Sequence, residues 1–376
     1  MAYYAAREIA QTQNIHVGIL ECFWGGTFAH CWMPRGLLAQ FPEGQRRITW
    51  YDAQIGHKTD EEFDAECRDY QAQVDAWNQR IVHRRAAQPD VSWAVLNEEC
   101  GLFPWPPPAG RTAYQRPGNL YESMLRPICP YAIRGFWHYQ GCQDEPWSQD
   151  YAALLRNLVR RWRSDWNDPD GKLPFLVVQL PMFATGIPGS WPIIRAAQSD
   201  IAHTEPNAGL VVLADCGEAD NIHPTDKLTP GRRLGQLALD MVYHRSVVGR
   251  SPEVSSVTYQ GSTVTVRFSQ TGGGLALYGN GSGFQLAGGD GIFHAAFAEL
   301  TGIDTVRRLK YYAKKTVKWR RVYPQAAKRL VGVAGYGRLS ARRKTKNEEL
   351  LRAHPEGSQG EGCKISGGSP CSTSDW

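Results

Sequence analysis

Apolar and polar positions alternate between two textures along the first 250 or so residues of this 376-residue chain. One is the short, continuous apolar run: residues 15–22 (IHVGILEC), 134–141 (RGFWHYQG), 174–180 (PFLVVQL) and 209–215 (GLVVLAD). Each is predicted to be a strand. The other is a longer segment with helical spacing, at residues 2–11, 61–87, 120–129, 151–166, 191–203 and 231–243. Within 61–87, for example, Phe63, Tyr70, Val74, Trp77 and Ile81 fall on one side. Continuous apolar strands separated by amphipathic helices predict a parallel sheet covered on both faces. Residues 100–117, with Pro106, Pro107 and Pro108 in a row, are predicted to form a loop.

Beyond 252 the texture changes. Val264 to Phe268 alternates and glycines are dense, which predicts a small β region. After Asp304 the chain turns basic and loses its patterning, then ends in a Gly/Ser-rich stretch expected to be disordered. The expected organisation is an α/β domain over 1–250, a β region over 251–304 and a basic tail over 305–376.

Doubly covered parallel sheets place their chemistry beyond the carboxyl ends of the strands, and three candidate groups stand there. Asp220 precedes His223 by three residues in DNIHP, after the last apolar strand. A carboxylate so placed can take the imidazole Nδ1 proton and leave Nε2 as a general base, although the same pair also suits a capping Asp beside a surface His. Gln140 and Gly141 end another strand, where an amide donor beside a glycine can serve an oxyanion hole or simply close a turn. Gly25 and Gly26 follow the first run, where backbone N–H groups can approach a ligand or form a plain tight turn.

At this point the sequence resembles a known family. AYYAAREI, VGILECFWGGTFAHCWM, RPGNLYESMLRPICPYAIRGFWHYQG, LPFLVVQLPMF, WPIIRAAQ, DNIHPTDK and GRRLGQLAL are similar, in order and spacing, to segments of the sialate O-acetylesterases among SGNH-type carbohydrate esterases. The likeness covers residues 1 to about 252 and weakens through the glycine-rich stretch. It implies a three-layer α/β SGNH-hydrolase fold, flavodoxin-like, with a small C-terminal β region. It also implies hydrolysis of acetyl esters on a carbohydrate substrate by a Ser-His-Asp mechanism, without metal or organic cofactor. His223 would be the base, Asp220 its orienter, and Gly25, Gly26, Gln140 and Gly141 would form the oxyanion hole. Arg195 and Gln198, one helical turn apart, would face the cleft and bind substrate.

Three departures accompany the resemblance. The family's serine lies in a GQSN-like turn after a strand that precedes the helix opening this chain, and no G-x-S or Q-S-N turn follows a strand here. Ser92, Ser123, Ser199 and Ser251 stand in other contexts. The expectation is therefore a chain that starts late, without nucleophile or first strand, and a sugar-binding or vestigial role becomes the alternative. Second, Cys142 follows Gln-Gly where the family carries an acid. Asp144 could retain part of that role, and Cys142 could stand in as nucleophile. Third, the tail lacks strand alternation, which suits either a lost reading frame or a genuine polyanion-binding segment.

Charge sharpens the last point. Residues 305–354 hold sixteen Lys and Arg against Glu348 and Glu349, about +14, so the rest carries about −9 within the total of +5. Any nucleic-acid or polyanion partner would belong to the tail alone. The nine cysteines are scattered without CxxC pairs, which fits reduced thiols and a cytoplasmic setting. No run reaches the roughly 18 apolar residues of a membrane span, and no secretory signal opens the chain.

Overall fold

Three of the four apolar runs form a parallel sheet, and the fourth does not. The computed structural model describes residues 1–185, 187–219, 221–260, 263–277, 284–287, 293–310 and 339–341. In chain order, helices α1 (Ala2–Gln13), α2 (Arg35–Leu38), α3 (Pro42–Ile55), α4 (Asp60–Ala87) and α5 (Trp93–Cys100) precede strand β1 (Phe136–His138). Then α6 (Tyr151–Asp165), β2 (Phe175–Val178), α7 (Ser190–Thr204), β3 (Ala208–Val211) and α8 (Leu228–Met241) alternate as the pattern predicts. The sheet order is β1-β2-β3, all parallel, with Phe136 opposite Phe175 and Phe175 opposite Ala208.

Strand β2 explains the three layers. Its side chains alternate between faces, yet all four are buried. Phe175 and Val177 pack with Leu154, Leu158 and Trp162 of α6 and Ile194 and Ile201 of α7. Leu176 and Val178 pack with Ala5 and Ile9 of α1 and Leu234 and Leu237 of α8. The α1–α8 crossing is close because α8 carries glycine there. A Cβ on Gly235 would stand 2.8 Å from Glu8 Cβ and 3.0 Å from the Ala5 carbonyl oxygen.

The run at 15–22 forms no strand, and Ile15, Ile19, Leu20 and Phe23 stay exposed. Its apolar character alone could not make it a strand, because a strand needs a hydrogen-bonding neighbour. The helix expected over 120–129 is instead a π-helical turn, Tyr121–Leu125, followed by a 3₁₀ turn, Arg126–Ile128. Pro127, which has no N–H to give, ends regular α geometry there. Helices α2, α3 and α5 were not foreseen.

The β region is antiparallel. Strands β4 (Glu253–Gln260), β5 (Thr263–Ser269), β6 (Leu275–Leu277), β7 (Phe284–Ala287), β8 (Phe293–Leu300), β9 (Thr305–Lys310) and β10 (Leu339–Ala341) follow α8. Five of them form a sheet ordered β4-β5-β9-β8-β7, and β6 pairs with β10. Val264, Val266 and Phe268 of β5 are buried with Val306 of β9, as the alternation predicts. The boundary expected at 304 thus falls just before a strand of this sheet. Residues 311–338 and 342–376, which hold most of the expected basic tail, lie outside the described residues. No helix among the described residues is long and apolar enough to cross a membrane.

Candidate active site

The carboxyl ends of the three strands meet the loop that follows β3. A small pocket of 10 Å³ is walled by Tyr139 after β1, Pro181 after β2, Leu213 and Cys216 after β3, and Pro224 and Lys227 of the following loop. That volume holds about one water, so it suits a single polar group and not a sugar ring.

Beside it, Gln140 ties two predicted elements together. Its Nε2 donates to the Thr27 carbonyl at 3.1 Å and to Asp144 Oδ2 at 2.6 Å. Asp144 Oδ2 also accepts from the Ala29 amide at 2.8 Å, and Asp144 Oδ1 pairs with Arg47 at 3.2 Å. Asp144 and Arg47 are both fully buried. Burial raises the Asp144 pKa, opposed chiefly by the Arg47 charge. The turn at 24–29, the loop at 140–144 and helix α3 are therefore held by one buried carboxylate. Tyr151, also fully buried, donates its hydroxyl to the Gln140 carbonyl at 2.9 Å.

Gln198 completes this support. It is fully buried, accepts from the Leu180 amide at 2.9 Å and donates to the Gln140 carbonyl at 2.9 Å. Its expected place facing the cleft is thus corrected: both ends of its amide are spent fixing the strand ends. Arg195 is buried too, donating to Gln179 Oε1 at 3.2 Å. Burial lowers its pKa to about 10. Gln140 is likewise a strut in this geometry, because both protons of its amide already have acceptors.

The other side is a surface loop. His223 is exposed, and its amide donates to Asn221 Oδ1 at 2.9 Å. Asn221 in turn donates to Glu218, whose carboxylate also accepts from the Thr225 amide and hydroxyl. Burial of the ring on its inner side, and then the Lys227 charge, hold the His223 pKa below its ordinary value. A neutral imidazole is what a general base requires. Asp220, its expected orienter, lies outside the described residues.

Gly26 adopts φ +65°, and a Cβ there would stand 2.3 Å from Cη2 of Trp105. A glycine is required at this turn both by its backbone and by that contact. Gly25 is exposed, with open space where a side chain would be. Burial pushes the Cys142 thiol up to about 12, which leaves little thiolate near neutral pH and removes its main qualification as a nucleophile. Ser92 caps α5 through Val95 N, Ser123 donates to Asn119 O, and Ser199 lies 3.5 Å from His203 Nδ1.

Sequence reasoning missed Arg47, Tyr151 and Glu218 as parts of the site. Arg47 lies 97 residues from Asp144, and no local pattern announces such a pair. Glu218 stands two residues from Asp220 and could have been read as the acid that closes the loop.

Residues 97–242 match the model of a family described as carbohydrate esterase, sialic acid-specific acetylesterase. The chain is 24% identical over 245 residues to the sialate O-acetylesterase of Mus musculus, covering 61% of this chain and 40% of the mouse protein. A solved structure of a carbohydrate acetylesterase from Xanthomonas citri matches with a TM-score of 0.58 at 23% identity, covering 84% of this chain and 57% of that one. That likeness shows the fold, and the chain spans less than two thirds of the length of either protein. Over residues 97–242 the chain is thus similar to the sialic acid-specific acetylesterases among carbohydrate esterases.

Proposed function

We propose that the α/β domain hydrolyses acetyl esters on sugars, with O-acetylated sialic acids as the substrate class that the mouse relative's name suggests. His223 would act as the base and Asp220 as its orienter. Backbone N–H groups of Gly25, Gly26 and Gly141 would receive the developing oxyanion, while Gln140 and Gln198 hold the loops that carry them. Arg195 would meet the substrate only through the strand ends it braces. One oxyanion donor is worth about 3 kcal/mol of transition-state stabilisation. With no side-chain nucleophile assigned, water would attack: His223 takes its proton as the water oxygen bonds the acetyl carbon, and that proton passes to the departing sugar oxygen, giving acetate and the free hydroxyl.

The observation that carries this reading is the Gln140 clamp, which joins the 24–29 turn to the end of β1 beside the pocket that also receives the 218–227 loop. A second reading, sugar binding without turnover, is favoured by the engagement of Ser92 and Ser123 in local backbone contacts. Acetate release from an O-acetylated sialic acid, measured beside binding of the same sugar, separates the two. Release that His223→Ala abolishes supports hydrolysis. Binding with no release supports the second reading, and neither binding nor release overturns both.

A further inference from the structure

A cleft lies away from the strand ends, between helix α4 and the loop that follows α5. It measures 560 Å³ and is lined by Glu66, Asp69, Tyr70 and Gln73 on the helix and by Phe103 and Trp105 on the loop. The loop is pinned along its length. Trp77 donates to the Gly101 carbonyl at 2.8 Å, Tyr70 to the Pro104 carbonyl at 3.0 Å, and Lys58 to the Ala109 carbonyl at 2.8 Å. Phe103 is held edge-on to Trp77, with ring centroids 5.1 Å apart. The aromatic surface is thus formed before any ligand arrives, which spares the ordering cost of binding.

We propose that this cleft is a subsite for a neutral pyranose ring, belonging to the same glycan whose acetyl ester the strand-end site would take. The inference rests on the function proposed above and deepens it. Trp105 remains 42% exposed, and the Phe103 and Trp105 centroids lie 6.5 Å apart at 37°. Such ring faces, negative at the centre, suit the C–H face of a sugar. Asp69 and Gln73 sit one helical turn apart on the cleft wall, where a carboxylate accepts from hydroxyls and an amide both donates and accepts.

Charge selects the occupant. Lys58 pairs with Glu66 at 2.5 Å, which leaves Asp69 as the carboxylate of the lining without an ion pair among the described residues. That charge disfavours the carboxylate of a sialic acid and accepts the hydroxyls of a neutral sugar. Position links the cleft to the strand ends, because the Trp105 ring rests directly on Gly26. A glycan whose acetylated residue reaches the 24–29 turn would place a neighbouring ring over Trp105.

The test is titration of the full chain with lactose and, separately, with N-acetylneuraminate, followed by tryptophan fluorescence and saturation-transfer NMR. Lactose binds at least tenfold more tightly than N-acetylneuraminate, and Trp105→Ala weakens lactose at least tenfold. Asp69→Asn, which does not disturb the Gly26 contact, weakens it several-fold. His223→Ala leaves lactose affinity within twofold, so the subsite is read independently of hydrolysis. No acetate release by the parent chain, with its lactose binding intact, would sink the hydrolytic reading and spare the subsite. Lactose binding that is absent, or indifferent to both Trp105→Ala and Asp69→Asn, overturns the subsite. Preferential binding of tetramethylammonium, the cation that rings and a carboxylate could also hold, overturns it as well.

Discussion

On one side of the candidate site a fully buried carboxylate, Asp144, gathers Ala29, Gln140 and Arg47 from three separate segments. On the other, His223 rides an exposed loop closed by the short-range contacts of Glu218 with Asn221 and Thr225. The first side belongs to the core, so disturbing it should cost the whole fold. The second is a local clasp, so disturbing it should cost the site and little else. This division separates residues that keep the loops in place from residues that would meet a ligand.

Arg47→Ala should show the largest effect. It leaves the Asp144 charge buried without its partner, and losing one member of a buried pair costs about 3–5 kcal/mol. Denaturant unfolding reads this directly, and a cost below about 1 kcal/mol would place the pair outside the core. The same disparity should appear in pH. Burial, with the Arg47 charge second, holds His30 down to about 3, and burial holds His138 down to about 4. Both folded values lie below the ordinary 6.5, so the unfolded chain binds more protons as pH falls below about 6.5. Stability is therefore lost from 6.5 down towards 4, at about 1.4 kcal/mol per pH unit for each histidine. Unfolding midpoints measured across that range check the slope, and His138→Phe should roughly halve it.

Changes to the surface loop should be smaller. Glu218→Ala removes the clasp and should cost about 1 kcal/mol or less globally, while amide exchange at His223 and Thr225 speeds up markedly. Equal loosening of the Ala29 amide would erase the distinction between the two sides. The smallest effect is expected from Lys227→Gln. After burial, the Lys227 charge lowers the His223 pKa, so its neutralisation should raise that pKa, as followed by NMR of the imidazole. An unchanged or lowered value would remove Lys227 from the site.

The same division governed what could be read from the sequence. Runs buried on both faces, such as Phe175 to Val178, announce their state through composition alone, and the alternation of Val264, Val266 and Phe268 announces a half-buried strand. That His223 stands on a loop between the last apolar strand and the following helix was legible, because strand, loop and helix are neighbours in the chain. The Arg47–Asp144 pair was not, because it joins residues 97 positions apart and exists only once the chain between them has folded. Gln198 was misplaced for a related reason. One helical turn from Arg195, it could point to cleft or core, and only the packing of α7 on the strand ends decides. The run at 15–22 shows the limit of apolar pattern, since pattern measures preference for burial and not the presence of a hydrogen-bonding neighbour.

The most direct test of the central claim is the time course of acetate release from an O-acetylated sialic acid by the full chain and by His223→Ala. The account predicts release by the parent chain and a fall of at least a thousandfold in the variant, with the unfolding midpoint unchanged. Release at equal rates from both, or none from the parent chain, would contradict it.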